Sequence, residues 1–166
     1  MNPIPRPRFM LLILSVCLVF LGVNGVVGGY LMLNDPYGAP MGMPVSVLEH
    51  TLFQNYIIPG LCLIFVWGGG SLLALVGLWL RPQKPDLDVV TRWTHEHWSW
   101  TLSVALGLGL LVWLTYQVFT LPAIAPVQVI LFVLAIFLVV VPLAPGMRTY
   151  YRLQAPARDL VSSPTA

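Results

Sequence analysis

VQVILFVLAIFLVVVPLA, running from Val127 to Ala144, contains no charged residue and one amide, Gln128, near its start. Such a run is close to the roughly 20 residues an α-helix needs to cross about 30 Å of hydrocarbon. Three further runs have the same character, from about Phe9 to Leu33, Tyr56 to Leu80 and Trp98 to Leu121. Short connections between four such helices make antiparallel neighbours. The expected fold is therefore all-α, a polytopic transmembrane four-helix bundle running up-down-up-down.

The basic residues orient it. Arg6 and Arg8 precede the first run, and Arg81, Lys84 and Arg92 separate the second from the third. Arg148, Arg152 and Arg158 follow the fourth, whereas segments 34–55 and 122–126 carry no Lys or Arg. Excess Lys and Arg marks the cytoplasmic side, so both termini are expected in the cytoplasm. At 58% hydrophobic and 8% charged, the chain lies far from ordinary soluble domains, where about a quarter of residues are charged. The spans use nearly the whole length, so one membrane domain is expected over residues 1–166, with a disordered tail over about 154–166. The net charge of +2 suits an anionic inner leaflet and is too small for nucleic-acid binding. Cys17 and Cys62 fall at different depths of their spans, too far apart for the about 7 Å a disulfide allows. The apolar run continues past Gly25 through Val26, Val27, Tyr30 and Leu33, longer than a secretory core, so it is expected to stay as a spanning helix.

Small residues set the expected packing. Gly25 and Gly29 form a GxxxG pair, and Gly22 and Gly29 share a heptad stripe with Ser15. The second span has Gly68, Gly69, Gly70, Ala74 and Gly77, and the third repeats Ser99, Ser103 and Gly107. Small residues let helix backbones approach closely where lipid offers no hydrophobic drive. The first three helices are thus expected to pack through these stripes, and the fourth, which lacks them, to face lipid. Asn24 is expected to hydrogen-bond another helix, because an amide in hydrocarbon needs a partner. Gln117 is the interior polar residue of the third span. Between the first two spans, Asn34-Asp35-Pro36 stops a helix, and Val45 to Asn55 reads as a short interfacial helix with a Ser46/Glu49 capping box. Val89 to His97 reads as a second short surface helix, with Trp93, Trp98 and Trp100 at headgroup depth.

Chemistry has few footholds. No ionisable side chain falls in the centre of a span, which argues against pumps and coupled transporters. A passive oligomeric pore stays open. On the outer side Asp35, Glu49 and His50 could bind a divalent ion or act as acid and base. On the inner side His95 and His97 would point about 200° apart on a helix and could not share one metal. The chain lacks HExxH, CxxC, GxSxG and any phosphate-binding loop, so no catalytic residue, metal or cofactor is assigned.

The run Gly28-Gly29-Tyr30-Leu31-Met32, then Asp35-Pro36-Tyr37-Gly38, then Tyr56-Ile57-Ile58-Pro59-Gly60-Leu61 before a Gly-rich span, resembles small bacterial four-helix membrane proteins grouped loosely as DoxX-like. The likeness covers about residues 10–121 and implies a bacterial inner-membrane location. DoxX-like proteins are tied to redox or membrane complexes, but no thiol pair here supports a redox role. Three function classes follow. The leading one is a non-enzymatic accessory or assembly subunit of a larger bacterial membrane complex, its partners being the lipid bilayer and other membrane proteins or further copies of itself. The second is a small-molecule carrier or oligomeric pore lined by Asn24 and Gln117. The third is a membrane enzyme or metal protein using Asp35, Glu49 and His50.

Overall fold

The computed structural model describes residues 7–39, 42–49, 51–80, 96–120 and 125–151. They form α1 (Pro7–Asn34), α2 (Ile57–Leu80), α3 (Trp98–Thr120), α4 (Pro126–Leu143) and a short α5 (Pro145–Tyr151). The first four are long and apolar enough to cross a membrane. Each begins and ends within a few residues of the sequence expectation. A 3₁₀ turn, Val45–Leu48, lies between α1 and α2.

Contacts between small residues and their neighbours fix the antiparallel order. A Cβ added to Gly25 would lie 2.7 Å from Gly68 N and Leu63 O, and one on Gly29 would lie 2.5 Å from Gly60 O. There α1 and α2 touch backbone to backbone. Gly70 of α2 faces Leu106 of α3, and a Cβ on Gly77 would sit 2.6 Å from Ser99 Cβ. Gly22 is looser, with the nearest neighbour of an added Cβ, Ser71 Cβ, at 3.6 Å. Ala74, Ser99 and Ser103 are fully buried, and Ser103 Oγ donates to Ser99 O at 2.8 Å. Gly25, Gly29, Gly70 and Gly77 thus stand at contacts between helices of this chain, whereas Gly69 is exposed and meets no other helix.

The fourth helix corrects the expectation that it lies outside. It packs along α3 and also against α1, closing a ring of four. A Cβ on Gly107 would meet Leu138 Cβ at 2.9 Å and Ala135 O at 3.1 Å. Leu134, Ala135 and Leu138 are buried, whereas Ile136, Phe137 and Val140 face outward. The stripe on α3 thus receives α4, and a small residue is needed on only one side of such a contact.

Two other expectations are corrected near α1. Asn24 Nδ2 donates at 2.8 Å to Phe20 O, a carbonyl of its own helix, and makes no bond across helices. The Ser46/Glu49 capping box does not form either. The 3₁₀ turn is preceded by Pro44, and Glu49 sits at its C-terminal end, exposed, with its N–H bonded to Ser46 O.

Over Leu63–Gly69 the second helix widens into a π-helix, a form found mostly as a local bulge and often at functional sites. Four glycines within eleven residues, Gly60, Gly68, Gly69 and Gly70, leave little side-chain bulk to resist it. The widened turns place Trp67 in the interior, 6% exposed.

The end of the bundle holding Pro7 and Leu80 is filled. Leu11, Leu14, Leu18 and Leu21 of α1 meet Ala74 and Leu78 of α2, Leu106 and Leu110 of α3, and Leu138 of α4. Two aromatic donors finish this end. A helix leaves its last four carbonyls without intrahelical partners, and here Tyr151 Oη donates to Leu78 O and Trp100 Nε1 to Pro142 O, both at 2.8 Å. Trp79 Nε1 adds a bond to Ser15 Oγ at 2.9 Å. Trp98 and Trp100 are buried between the helices, and Trp93 lies outside the described residues. Outward, the helices show Phe9, Val16, Val23, Phe65, Leu72, Val112, Phe119, Phe132 and Phe137. An apolar belt this broad is foreign to soluble monomers.

A candidate ligand-binding cavity

At the opposite end, where Asn34 and Thr120 stand, the four helices line a partly open cavity of about 580 Å³. It arises from missing volume. Gly28 turns bare backbone toward it, and a Cβ there would find only Leu63 Cδ1, at 3.7 Å. The segment between α1 and α2 covers the opening through Val47, Leu48, Thr51 and Phe53. Three contacts hold that cover. Tyr56 N donates to Pro36 O at 3.0 Å, Met43 N to Gly38 O at 3.1 Å, and Leu52 N to Tyr116 Oη at 3.0 Å. Gly38 takes φ +82°, and an added Cβ there would meet the Tyr56 ring at 2.8 Å, so glycine is required for the cover to close.

The wall is mostly hydrocarbon and aromatic. Trp113 is its centre, with ring centroids 5.2 Å from Trp67, 6.0 Å from Phe53 and 6.4 Å from Tyr116. Leu21, Leu31, Leu63 and Leu131 complete the apolar surface. Uncharged polar side chains interrupt it: Asn24 from α1, Tyr116, Gln117 and Thr120 from α3, Gln128 from α4, and Thr51 and Tyr56 from the covering segment. Gln128 Oε1 accepts from Ala125 N at 2.7 Å, which fixes its amide, and Gln128 Nε2 donates to Gln117 Oε1 at 3.1 Å. Gln117 Nε2 and Asn24 Oδ1 then make no hydrogen bond among the described residues. Tyr56 Oη and Trp67 Nε1, in residues on or against this wall, are buried and also unbonded among them. Pockets of 300–1,000 Å³ with apolar walls and a few placed polar groups are typical of small-molecule sites.

The sequence-predicted outer site fares differently. Asp35 Oδ1 accepts from Tyr37 N at 2.9 Å, a turn of the Asx type, and Glu49 points outward, while His50 lies outside the described residues. At the other end His97 is 6% exposed, its N–H bonded to Tyr151 O at 3.0 Å and its Nδ1 2.8 Å from Ser99 Oγ, and His95 lies outside the described residues. Glu96, 1% exposed, pairs with Arg148 at 3.5 Å. Among the described residues no three His, Cys, Asp or Glu side chains come together as a metal site. The expected surface helix over residues 89–97 and the tail over 154–166 also fall wholly or mostly outside the described residues. The cavity itself was missed from sequence, although two of its polar groups, Asn24 and Gln117, were singled out as lining residues. Comparison with family models, with curated proteins and with solved structures finds no match to this chain.

Proposed function

We propose that the protein is a non-enzymatic, multi-pass protein of a bacterial inner membrane, with both termini cytoplasmic, that binds a small, largely apolar molecule in this cavity. The observation that carries the reading is the cavity of about 580 Å³, walled by aromatic and aliphatic side chains and glycine backbone and partly covered by a pinned segment. It favours the carrier class over the accessory-subunit class. The small-residue stripes that motivated a partner protein pack within the chain, leaving the apolar outer faces to lipid. The cavity lies in the half of the bundle that the charge distribution assigns to the outer leaflet.

Diphenylhexatriene, a hydrocarbon dye, should bind the purified protein at one per chain and receive energy from the cavity tryptophan, Trp113. Gly28→Phe, whose Cβ would have only Leu63 Cδ1 within 4 Å, should weaken the dye about tenfold or more while leaving the fold intact by circular dichroism. Equal dye binding by the variant would refute the site.

The orientation is tested separately. In a background lacking Cys17 and Cys62, a cysteine at Ala39 should react with an impermeant thiol reagent on intact cells, and one at Gln83 only after lysis. Reversed labelling would overturn the inside-out assignment.

A further inference from the structure

The cavity's hydrogen-bond inventory narrows the ligand class, an inference that rests on the binding reading above. Tyr56 Oη, buried and unbonded among the described residues, is one free group; the others follow from the hydrogen bonds. The hydroxyls of Thr51 and Thr120 donate to Leu48 O and Tyr116 O, at 2.9 Å and 2.8 Å, and so have no proton left for a ligand. Tyr116 Oη accepts the Leu52 N–H, so its own hydroxyl proton remains to be donated. Gln117 Oε1 is used by Gln128, which leaves both protons of Gln117 Nε2. Gln128 Nε2 and Asn24 Nδ2 each keep one proton beyond those already engaged. The unengaged acceptor among the amide groups is Asn24 Oδ1. Beside the free Asn24 oxygen, the wall thus offers unengaged donor protons from Tyr116, Gln117, Gln128, Asn24 and Tyr56, and a donor left unmet among apolar groups is costly.

Charge supplies the second constraint. Among the described residues that line the cavity there is no Asp, Glu, Lys, Arg or His. A carboxylate or phosphate would be desolvated without a cation to meet it, and an ammonium without an anion. We infer that the ligand is a neutral amphiphile whose head offers acceptor oxygens, such as an ester or quinone carbonyl, to Gln117 Nε2 and Tyr116 Oη. Its apolar remainder lies along Leu21, Leu31, Leu63 and Leu131. Trp113 provides a flat surface beside the head.

The test compares probes of one chain length on the full protein held in amphipol at pH 8. Methyl laurate and a decyl-substituted benzoquinone carry the neutral carbonyl from an ester and a quinone. Dodecane lacks the head, and laurate and dodecyltrimethylammonium carry charge. Both carbonyl probes should displace diphenylhexatriene at roughly tenfold lower concentration than the other three, and the tighter of the two names the source. Gln117→Leu and Tyr116→Phe should each weaken the carbonyl probes about 3- to 10-fold relative to dodecane measured on the same variant. Dodecane competing as well as methyl laurate would overturn the inferred head while leaving the cavity reading intact. Laurate or the ammonium probe competing as well would overturn neutrality. A dye that neither binds at one per chain nor responds to Gly28→Phe would remove the cavity reading and this inference together.

Discussion

Alanine at Gly29 is expected to open the α1–α2 crossing and lower the thermal midpoint by about 5–10 °C. The added methyl would stand 2.5 Å from both Gly60 O and Ile64 Cγ1, and 3.1 Å from Ile64 N. Two of those three atoms are backbone and cannot rotate away, so the helices must separate. Overpacking typically costs about 1–3 kcal/mol, and a chain of this size loses about 2–4 °C per kcal/mol. Gly25→Ala meets the same obstacle at Gly68 N and Leu63 O. Gly22→Ala is the control on the same stripe. Its methyl finds Ser71 Cβ at 3.6 Å, an ordinary contact, so its midpoint should move by no more than a degree or two. Unfolding followed by far-ultraviolet dichroism checks this, and equal midpoints for Gly22→Ala and Gly29→Ala would contradict the described crossing.

Arg148→Ala should destabilise the bundle more than Glu96→Gln, although both break one ion pair. Glu96 is 1% exposed and Arg148 51% exposed, with Nε to Oε1 at 3.5 Å. Loss of the arginine leaves a carboxylate in a place water barely reaches. Loss of the carboxylate's charge leaves a guanidinium that can turn to solvent. Removing one partner of a fully buried pair costs about 3–5 kcal/mol and an exposed pair about 0–1. The half-exposed arginine places Arg148→Ala between them, at about 1–3 kcal/mol, with Glu96→Gln near the lower bound. The order of the two midpoints in the same unfolding experiment decides the matter; a reversed order would show that Glu96 is held chiefly by other groups.

The spans were legible because length and hydropathy are one-dimensional quantities, as are the positions of Lys and Arg. Which face of a span touches what is not. Leu134 and Leu138 are buried and Ile136 and Phe137 exposed on one helix of uniformly apolar residues, so composition could not tell lipid-facing from helix-facing positions. The Gly107 stripe was visible, but its partner was not, because a groove of small residues accepts large side chains from a helix that shows no stripe. Asn24 misled for a different reason. A short amide can satisfy itself on the carbonyl four residues back, and the sequence cannot show which option is taken. The cavity was illegible as a cavity, being space left by absent atoms, as at Gly28, although Asn24 and Gln117 marked two of its polar groups.

The two ends of the bundle also differ mechanically. Near Pro7 the helices are joined by leucine interdigitation and by indole and phenol bonds to helix-terminal carbonyls. Near Asn34 a hollow replaces that packing, and three hydrogen bonds secure the cover. Regions with few apolar contacts open at lower free energy than packed ones. The helices are therefore clamped together at one end, whereas at the other α1 and α2 still touch at Gly29 and Gly60 while a hollow opens between that pair and α3 and α4.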